Sequence, residues 1–178
     1  MKQIKVGDKT FEVSIPADTI QSRIKALAKS IEDDLSGKNP FFIVVLNGAF
    51  LFAADIFRNM TTPCEIGFIR VSSYSGMSST GEVKSVMGIE QSLEGRHVVI
   101  LEDIVDSGDT AVFLMGQLKS KNVASVRFAT LLFKPNALRH DFKPDYTGFE
   151  VPNDFLVGYG LDYDGYGRNY NEIYKLYS

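Results

Sequence analysis

One stretch of the chain, residues 97–110 (HVVILEDIVDSGDT), constrains the fold more than any other. Its continuous apolar run at 98–101 is typical of a strand buried on both faces of a parallel sheet. We expect this strand to end at two carboxylates, Glu102 and Asp103. Their oxygen atoms suit sugar hydroxyls or a hydrated divalent cation.

A polar turn, residues 106–110 (DSGDT), follows the two acids and precedes a predicted helix that ends near Lys119. Serine and threonine suit the helix cap, and Gly108 allows successive N–H groups to converge on an anion. The turn is therefore a candidate phosphate site. An ordinary strand–helix turn with a capping aspartate would explain Asp106, but it would not explain the acids at 102 and 103.

Other strands are predicted to end in polar residues at the same sheet edge. The run at 41–46 (FFIVVL) precedes Asn47 and Gly48 and a helix over about 50–58, and the run at 124–133 precedes Lys134. Ligands of open parallel sheets bind beyond the carboxyl ends of the strands, so these residues should share one crevice. Strands alternating with helices predict the α/β class, with a mostly parallel, twisted sheet flanked by helices.

The remaining segments have weaker patterns. A hairpin is expected at 3–15, a helix with apolar residues at helical spacing after Pro16, and a strand at 63–71. Residues 72–81 are rich in serine and glycine and read as a loop, and residues 139–150 read as irregular.

Composition limits the partners and the compartment. The chain has 178 residues, a net charge of −3 and no basic block, which argues against a nucleic-acid surface. No apolar run is long enough to span a bilayer, and the start of the chain lacks a signal-peptide pattern. Because Cys64 is the one cysteine, no intrachain disulfide can form, and a reducing, cytoplasmic location is expected.

The order of apolar run, two acids, two apolar residues and Asp-Ser-Gly-x-Thr resembles the phosphoribosyl-diphosphate (PRPP) signature of the type I phosphoribosyltransferases. The resemblance implies that family's fold over a single domain, 1–178, with a small hood formed by about 1–16 and 140–178. It also implies Mg²⁺ as the cofactor. By the same resemblance, Glu102 and Asp103 hold the ribose hydroxyls and a metal, and Asp106 is the general base.

The resemblance further assigns the phosphate contacts. The 5′-phosphate would be held by Ser107, Gly108, Asp109 and Thr110, and the pyrophosphate by Asn47, Gly48 and Arg168. Asn47 stands where relatives usually carry lysine or arginine, so a side-chain cation is missing there. Asp109 is unusual beside a phosphate, and we expect its side chain to point away from the anion.

Within the family, the segment from 151 to 163 (VPNDFLVGYGLDY) is similar to the purine pocket of the hypoxanthine phosphoribosyltransferases. That similarity implies that Phe155 stacks on the base, that the backbone at Leu156 and Asp162 meets its edge, and that Asp162 helps to hold a second metal. Lys134 would donate to the 6-oxo group. Ser73 and Tyr74 match a pair on a flexible loop that closes over the site.

The implied reaction joins hypoxanthine, and guanine as well, to PRPP, giving the nucleoside 5′-monophosphate and pyrophosphate. A homodimer or homotetramer is expected, without nucleic-acid or membrane partners. Two alternatives stay open at this point. One is a regulatory or nucleotide-sensing module that keeps the PRPP site without transferase activity, and the other is a transferase acting on a related base such as xanthine.

Overall fold

The computed structural model describes residues 2–73, 83–87, 89 and 91–177. The elements in chain order are β1 (Gln3–Val6), β2 (Lys9–Ile15), α1 (Ala17–Asp34), β3 (Phe41–Leu46), α2 (Phe50–Arg58), β4 (Glu65–Ser73), β5 (Val83–Met87), β6 (His97–Val105), α3 (Asp109–Lys119), β7 (Ser125–Phe133), a 3₁₀ turn (Pro135–Ala137), β8 (Tyr146–Glu150), β9 (Leu156–Val157) and β10 (Ile173–Leu176).

The main sheet has six strands in the order β5-β4-β3-β6-β7-β8. Its strands β4, β3, β6, β7 and β8 are parallel, and only the edge strand β5 runs antiparallel. The predicted α/β class with a mostly parallel sheet is confirmed. Because the strands are parallel, the residues that follow β3, β6 and β7 come out at one edge.

Helices cover both faces of this sheet. The apolar stripe of α1, including Ile20, Ile24 and Ile31, is fully buried and packs with α2 in one core cluster. The other face packs on α3 through residues such as Leu114 and Leu118. Burying a stripe of this width stabilises the helix by tertiary packing more than by propensity. None of the helices in the described residues is long and apolar enough to cross a bilayer.

The hood is a separate antiparallel sheet with the strand order β1-β2-β10-β9. Its small core includes Val6, Phe11, Val157 and Tyr174. Both ends of the chain thus supply hood strands, as the resemblance implied. The C-terminal part of the hood was expected to begin at about residue 140. In the structure β8 belongs to the main sheet, and the C-terminal hood strands begin at Leu156.

Two sequence-based expectations need correction. Residues 139–150 are not wholly irregular, since β8 pairs in parallel with β7. Gly148 weakens the strand pattern in the sequence. A Cβ there would lie 2.3 Å from the Leu131 carbonyl oxygen, so only glycine lets the two backbones come this close. Likewise, β6 does not end at the two carboxylates, because its pairing with β7 continues to Val105. Glu102 and Asp103 therefore lie within the strand.

Glu32 joins α1 to the loop between α2 and β4. Its Oε1 accepts hydrogen bonds from the Thr62 amide at 2.6 Å and from the Thr61 amide and hydroxyl, each at 2.8 Å. These donors, Thr62 first, lower the pKa of Glu32 from 4.5 to about 2. The ionised carboxylate thus favours the folded state.

We expect Glu32→Gln to be less stable than the native protein at neutral pH. Since the folded pKa is the lower one, the native advantage is present above pH 4.5 and is lost as the pH falls towards about 2. Urea unfolding followed at several pH values measures this difference. The exposed Glu94→Gln is the matched control. If the difference in unfolding free energy between the native protein and Glu32→Gln does not decrease as the pH falls, the stabilising role of the Glu32 carboxylate is contradicted.

Candidate active site

The carboxyl edge of the main sheet brings the predicted site residues together from distant parts of the chain. A Cβ on Gly48, after β3, would lie 1.8 Å from Asp103 Oδ2 on β6. A Cβ on Gly160, in the hood, would lie 2.0 Å from the Gly48 carbonyl oxygen. The loop after β3 is therefore clamped between a carboxylate of the sheet and the backbone of the hood. The Leu46–Asn47 peptide in this loop is cis.

The turn after β6 encloses a hollow of about 90 Å³, which is lined by Glu102 and by every residue from Asp106 to Ala111. Gly108 adopts a left-handed conformation, with φ of 82°, and caps α3, which begins at Asp109. Glycine and not the expected serine or threonine thus occupies the N-cap position, although the Ser107 hydroxyl accepts a hydrogen bond from the Asp109 amide at 3.3 Å. The start of α3, with Thr110 and Ala111 at the hollow, is still suited to an anion.

Asp106 and Lys134 form an ion pair across two strand ends. Lys134 Nζ donates to Asp106 Oδ2 at 2.8 Å. The lysine side chain is only 9% exposed, whereas that of Asp106 is 55% exposed. A backbone hydrogen bond of 2.9 Å from the Lys134 amide to the Val105 carbonyl oxygen holds the lysine beside the turn. A buried ammonium and an accessible carboxylate therefore lie next to the phosphate-type hollow.

The two adjacent acids of β6, Glu102 and Asp103, both have a raised pKa, which favours their neutral form. Burial, with a smaller effect of the Asp103 charge, raises the pKa of Glu102 well above its ordinary value. Burial also raises the pKa of Asp103 to about 6, against backbone hydrogen bonds and the charge of Arg168, which lower it. Each carboxylate would gain from a bound cation or from hydroxyl donors.

These acids do not form a metal cage. Within the described ranges, no three carboxylate, imidazole or thiol groups gather closely enough to hold a metal ion. Glu102 lines the hollow of the turn, whereas Asp103 lies against Gly48. Mg²⁺ usually takes one or two protein carboxylates and completes its shell with substrate oxygens and water. The donor set therefore fits a magnesium ion that arrives with a phosphorylated substrate.

The hood supplies a second ion pair near the same edge. Arg168 Nη2 lies 2.6 Å from Asp162 Oδ1, and Arg168 Nη1 donates to the Gly160 carbonyl oxygen at 2.7 Å. Both Arg168 and Asp162 influence the pKa of Asp103 through their charges. Through Gly160 and Gly48, the predicted pyrophosphate contact and the predicted second metal ligand thus lie close to Asp103.

Phe155 and Leu156, the other residues assigned to the purine, differ in exposure. The Phe155 ring is held by Tyr163 and Phe11, with centroid distances of 5.8 and 6.3 Å, and the residue stays 48% exposed. Leu156 is buried in β9. An aromatic ring fixed on one side and open on the other suits stacking, and the purine contact itself stays a prediction.

The pair assigned to a closing loop falls mostly outside the described residues. Ser73 is the last residue of β4, and Tyr74 is not among the residues that the structure describes. The proposed closure over the site is therefore still only an expectation.

His140 and Arg139 are site residues that the sequence reasoning missed. His140 Nε2 lies 2.6 Å from Asp109 Oδ1, and Arg139 Nη1 lies 3.6 Å from Asp109 Oδ2. Both residues lie at the start of the segment 139–150, which the sequence predicted as irregular. The one available signal was Asp109 itself, because an acid in a phosphate turn calls for a nearby base.

A model of the phosphoribosyl transferase domain matches residues 16–164. The chain belongs to the phosphoribosyltransferase family. The strand, acid pair and turn of β6 are thus those of a phosphoribosyltransferase, and the antiparallel sheet is its hood.

Named relatives of this phosphoribosyltransferase include hypoxanthine-guanine enzymes. The chain is 42% identical over 171 residues to the hypoxanthine-guanine phosphoribosyltransferase of Mycobacterium tuberculosis, covering 92% of this chain and 85% of that one. It is 42% identical over 159 residues to the bifunctional protein TilS/HprT of Listeria monocytogenes. That match covers 89% of this chain but only 24% of the Listeria protein, so the chain spans about a quarter of that relative.

The solved structure of the hypoxanthine phosphoribosyl transferase of Trypanosoma cruzi is similar over nearly the whole phosphoribosyltransferase chain. The TM-score is 0.89 at 35% identity, and the match covers 98% of this chain and 95% of that one. Sequence and fold therefore agree on the family.

We expect Gly48→Ala to weaken PRPP binding at least about tenfold, because the new Cβ would displace the Asp103 carboxylate from 1.8 Å. The melting temperature should change little, since a side chain moves and the backbone does not have to. Binding by calorimetry in Mg²⁺ measures the effect. Gly116→Ala, where nothing lies within 4 Å, is the control and should bind PRPP normally. Unchanged binding by Gly48→Ala would remove Asp103 from the site.

Proposed function

We propose that this protein transfers the 5-phosphoribosyl group of PRPP to N9 of hypoxanthine or guanine and releases pyrophosphate. The observation that carries the proposal is the Asp106–Lys134 pair, 2.8 Å apart beside the phosphate-type turn. The names of its relatives, hypoxanthine-guanine for the Mycobacterium tuberculosis enzyme and hypoxanthine for the Trypanosoma cruzi enzyme, support the same substrate class.

The pair matches one edge of a 6-oxopurine. N7–H and O6 are neighbours on that edge, so one can donate to Asp106 while the other accepts from Lys134. An ammonium has three donors and can serve the carboxylate and O6 together. Adenine presents an amino group at C6, which cannot accept from Lys134, and is therefore disfavoured.

The sheet edge would hold PRPP along its length. The turn from Ser107 to Thr110 receives the 5′-phosphate on backbone amides and hydroxyls. Glu102 and Asp103 accept from the ribose hydroxyls and orient C1 towards the base. Asn47 and Gly48 offer backbone groups to the pyrophosphate, and Arg168 adds a side-chain cation.

In the reaction, the bond from C1 to the pyrophosphate oxygen breaks as N9 attacks C1. Mg²⁺, bound with PRPP, would supply Lewis-acid stabilisation of the charge that grows on the leaving pyrophosphate. Asp106 takes the proton from N7, and the purine ends bonded to ribose through N9. Glu102, Asp103 and Asp162 are the residues that would hold magnesium, with substrate oxygens completing its shell.

The proposal is tested by incubating the protein with PRPP, Mg²⁺ and one free base, and measuring released pyrophosphate. Hypoxanthine and guanine should each give pyrophosphate in equal amount to the nucleotide formed, and adenine should give none. The same measurement with xanthine shows whether xanthine is also a substrate. PRPP binding without turnover on any base would overturn the transferase and favour a sensing module.

Assembly and location are part of the same proposal. We infer a homodimer or homotetramer, because Ile66 and Phe68 of β4 are 40% and 48% exposed, beside the buried residues of β3. In the Trypanosoma cruzi enzyme the C-terminal region has a role in the oligomeric state and enzymatic activity. Light scattering after gel filtration tests this assembly. A cytoplasmic location suits a chain whose one cysteine is free.

A further inference from the structure

The segment 138–140 packs directly on the phosphate-type turn. The Arg139 amide donates to the Ser107 carbonyl oxygen at 3.0 Å. Leu138 Cδ2 and His140 Cδ2 lie 3.1 and 3.8 Å from the place where a Cβ on Gly108 would stand. The 138–140 segment therefore has a fixed position relative to the turn, through its backbone and through two side chains.

Asp109 is the centre of the polar contacts between the two segments. Its Oδ2 accepts from the Ser107 hydroxyl at 2.7 Å, and its Oδ1 lies 2.6 Å from His140 Nε2. Because an ionised carboxylate only accepts, Nε2 of His140 carries the proton of this bond. The bonds from Ser107 and then His140 hold the pKa of Asp109 below its ordinary value, so the side chain is charged at neutral pH.

A 5′-phosphate in the turn creates a conflict with this arrangement. The Ser107 hydroxyl has a single proton, and Asp109 receives it in the free protein. The hydroxyl can donate to a phosphate only if it releases Asp109. The carboxylate would then face a second anion with one partner fewer, and the two like charges would repel.

We propose that His140, supported by Arg139, is a positioning residue for the 5′-phosphate. It holds the Asp109 carboxylate through the Nε2–Oδ1 bond, and Arg139, 3.6 Å from Asp109, offsets the charge, so that the Ser107 hydroxyl is free to turn to the phosphate. The inference rests on the proposed function, since that function places the 5′-phosphate in this turn. His140 itself does not touch the substrate.

The test compares two ligands that differ only in the phosphate, inosine 5′-monophosphate and inosine. We expect His140→Ala to weaken binding of the nucleotide about fivefold, the upper range for an exposed contact with a charged side chain, and to leave inosine binding unchanged. In turnover, the KM for PRPP should rise while kcat and the KM for hypoxanthine stay the same. His140→Gln, which keeps an N–H donor, should restore most of the nucleotide affinity.

A double-mutant cycle with Asp109→Asn isolates the proposed mechanism. Once the carboxylate is neutral, His140→Ala should change nucleotide binding by less than about 1.5-fold. His97→Ala is the matched control. His97 is the other histidine of the chain, and it forms a hydrogen bond with Ser125 at the amino end of β6, away from the turn. It should leave binding of both ligands unaffected.

Three results would overturn the inference. They are an unchanged nucleotide affinity in His140→Ala, an equal loss for nucleotide and nucleoside, and an equal loss in the presence and absence of the Asp109 charge. The failure of the proposed function looks different, because it appears in the native protein. In that case the native protein would release no pyrophosphate from PRPP with any base.

Discussion

Asp106→Asn should lower kcat for hypoxanthine by roughly two to four powers of ten, the usual range for a lost general acid or base. The asparagine can still accept a hydrogen bond from Lys134, so the 2.8 Å contact and the position of the lysine should survive. PRPP affinity should therefore stay within about twofold of the native value. The change would fall on the purine end of the site, at the proton transfer, and not on PRPP binding.

The experiment measures single-turnover rates with saturating PRPP, together with PRPP binding in the absence of base. Asp33→Asn is the control, because Asp33 also pairs with a lysine, at 2.9 Å, but on the exposed surface of α1. Its kcat should equal that of the native protein. A native rate in Asp106→Asn would remove the general-base role, and a large loss of PRPP affinity would assign Asp106 to the sugar-phosphate instead.

Lys134→Met should raise the KM for hypoxanthine and guanine by about tenfold to a hundredfold, since a buried charged hydrogen bond to O6 is lost. Methionine fills a similar volume, and the Asp106 side chain, 55% exposed, can be hydrated once its partner is gone. The protein should therefore stay folded. The KM for PRPP should change by no more than about twofold.

Steady-state kinetics with each substrate varied in turn measures this difference. Lys29→Met removes the lysine of the exposed pair on α1 and should change neither KM. Lys134→Met, but not Lys29→Met, should lower the ratio of activity with 6-oxopurines to activity with adenine. Equal increases in the KM for purine and for PRPP would contradict recognition of O6 by Lys134.

The two variants also test whether the pair acts as a unit. If Asp106 and Lys134 bind adjacent atoms of one purine edge, the effects of the two substitutions on purine binding should not be additive. The double variant would then lose less than the combined effects of the single variants. Full additivity would indicate two independent contacts.

Local sequence patterns determined much of the framework. The helical spacing of apolar residues predicted α1, and the run 41–46 with its following turn predicted both β3 and the bounds of α2. The spacing of acids, glycine and hydroxyls at 102–110 predicted a turn before a helix, and the structure has a turn there that lines a hollow. These features depend on neighbours in the chain, and so composition and periodicity reveal them.

The tertiary structure alone decided how these pieces meet. Lys134 reaches Asp106, Gly160 lies on Gly48, and His140 holds Asp109 because of strand register and the docking of the hood. The extension of β6 to Val105 and the presence of β8 likewise depend on pairing with β7. Contacts between residues far apart in sequence arise from the packing of whole elements, and no local pattern records them.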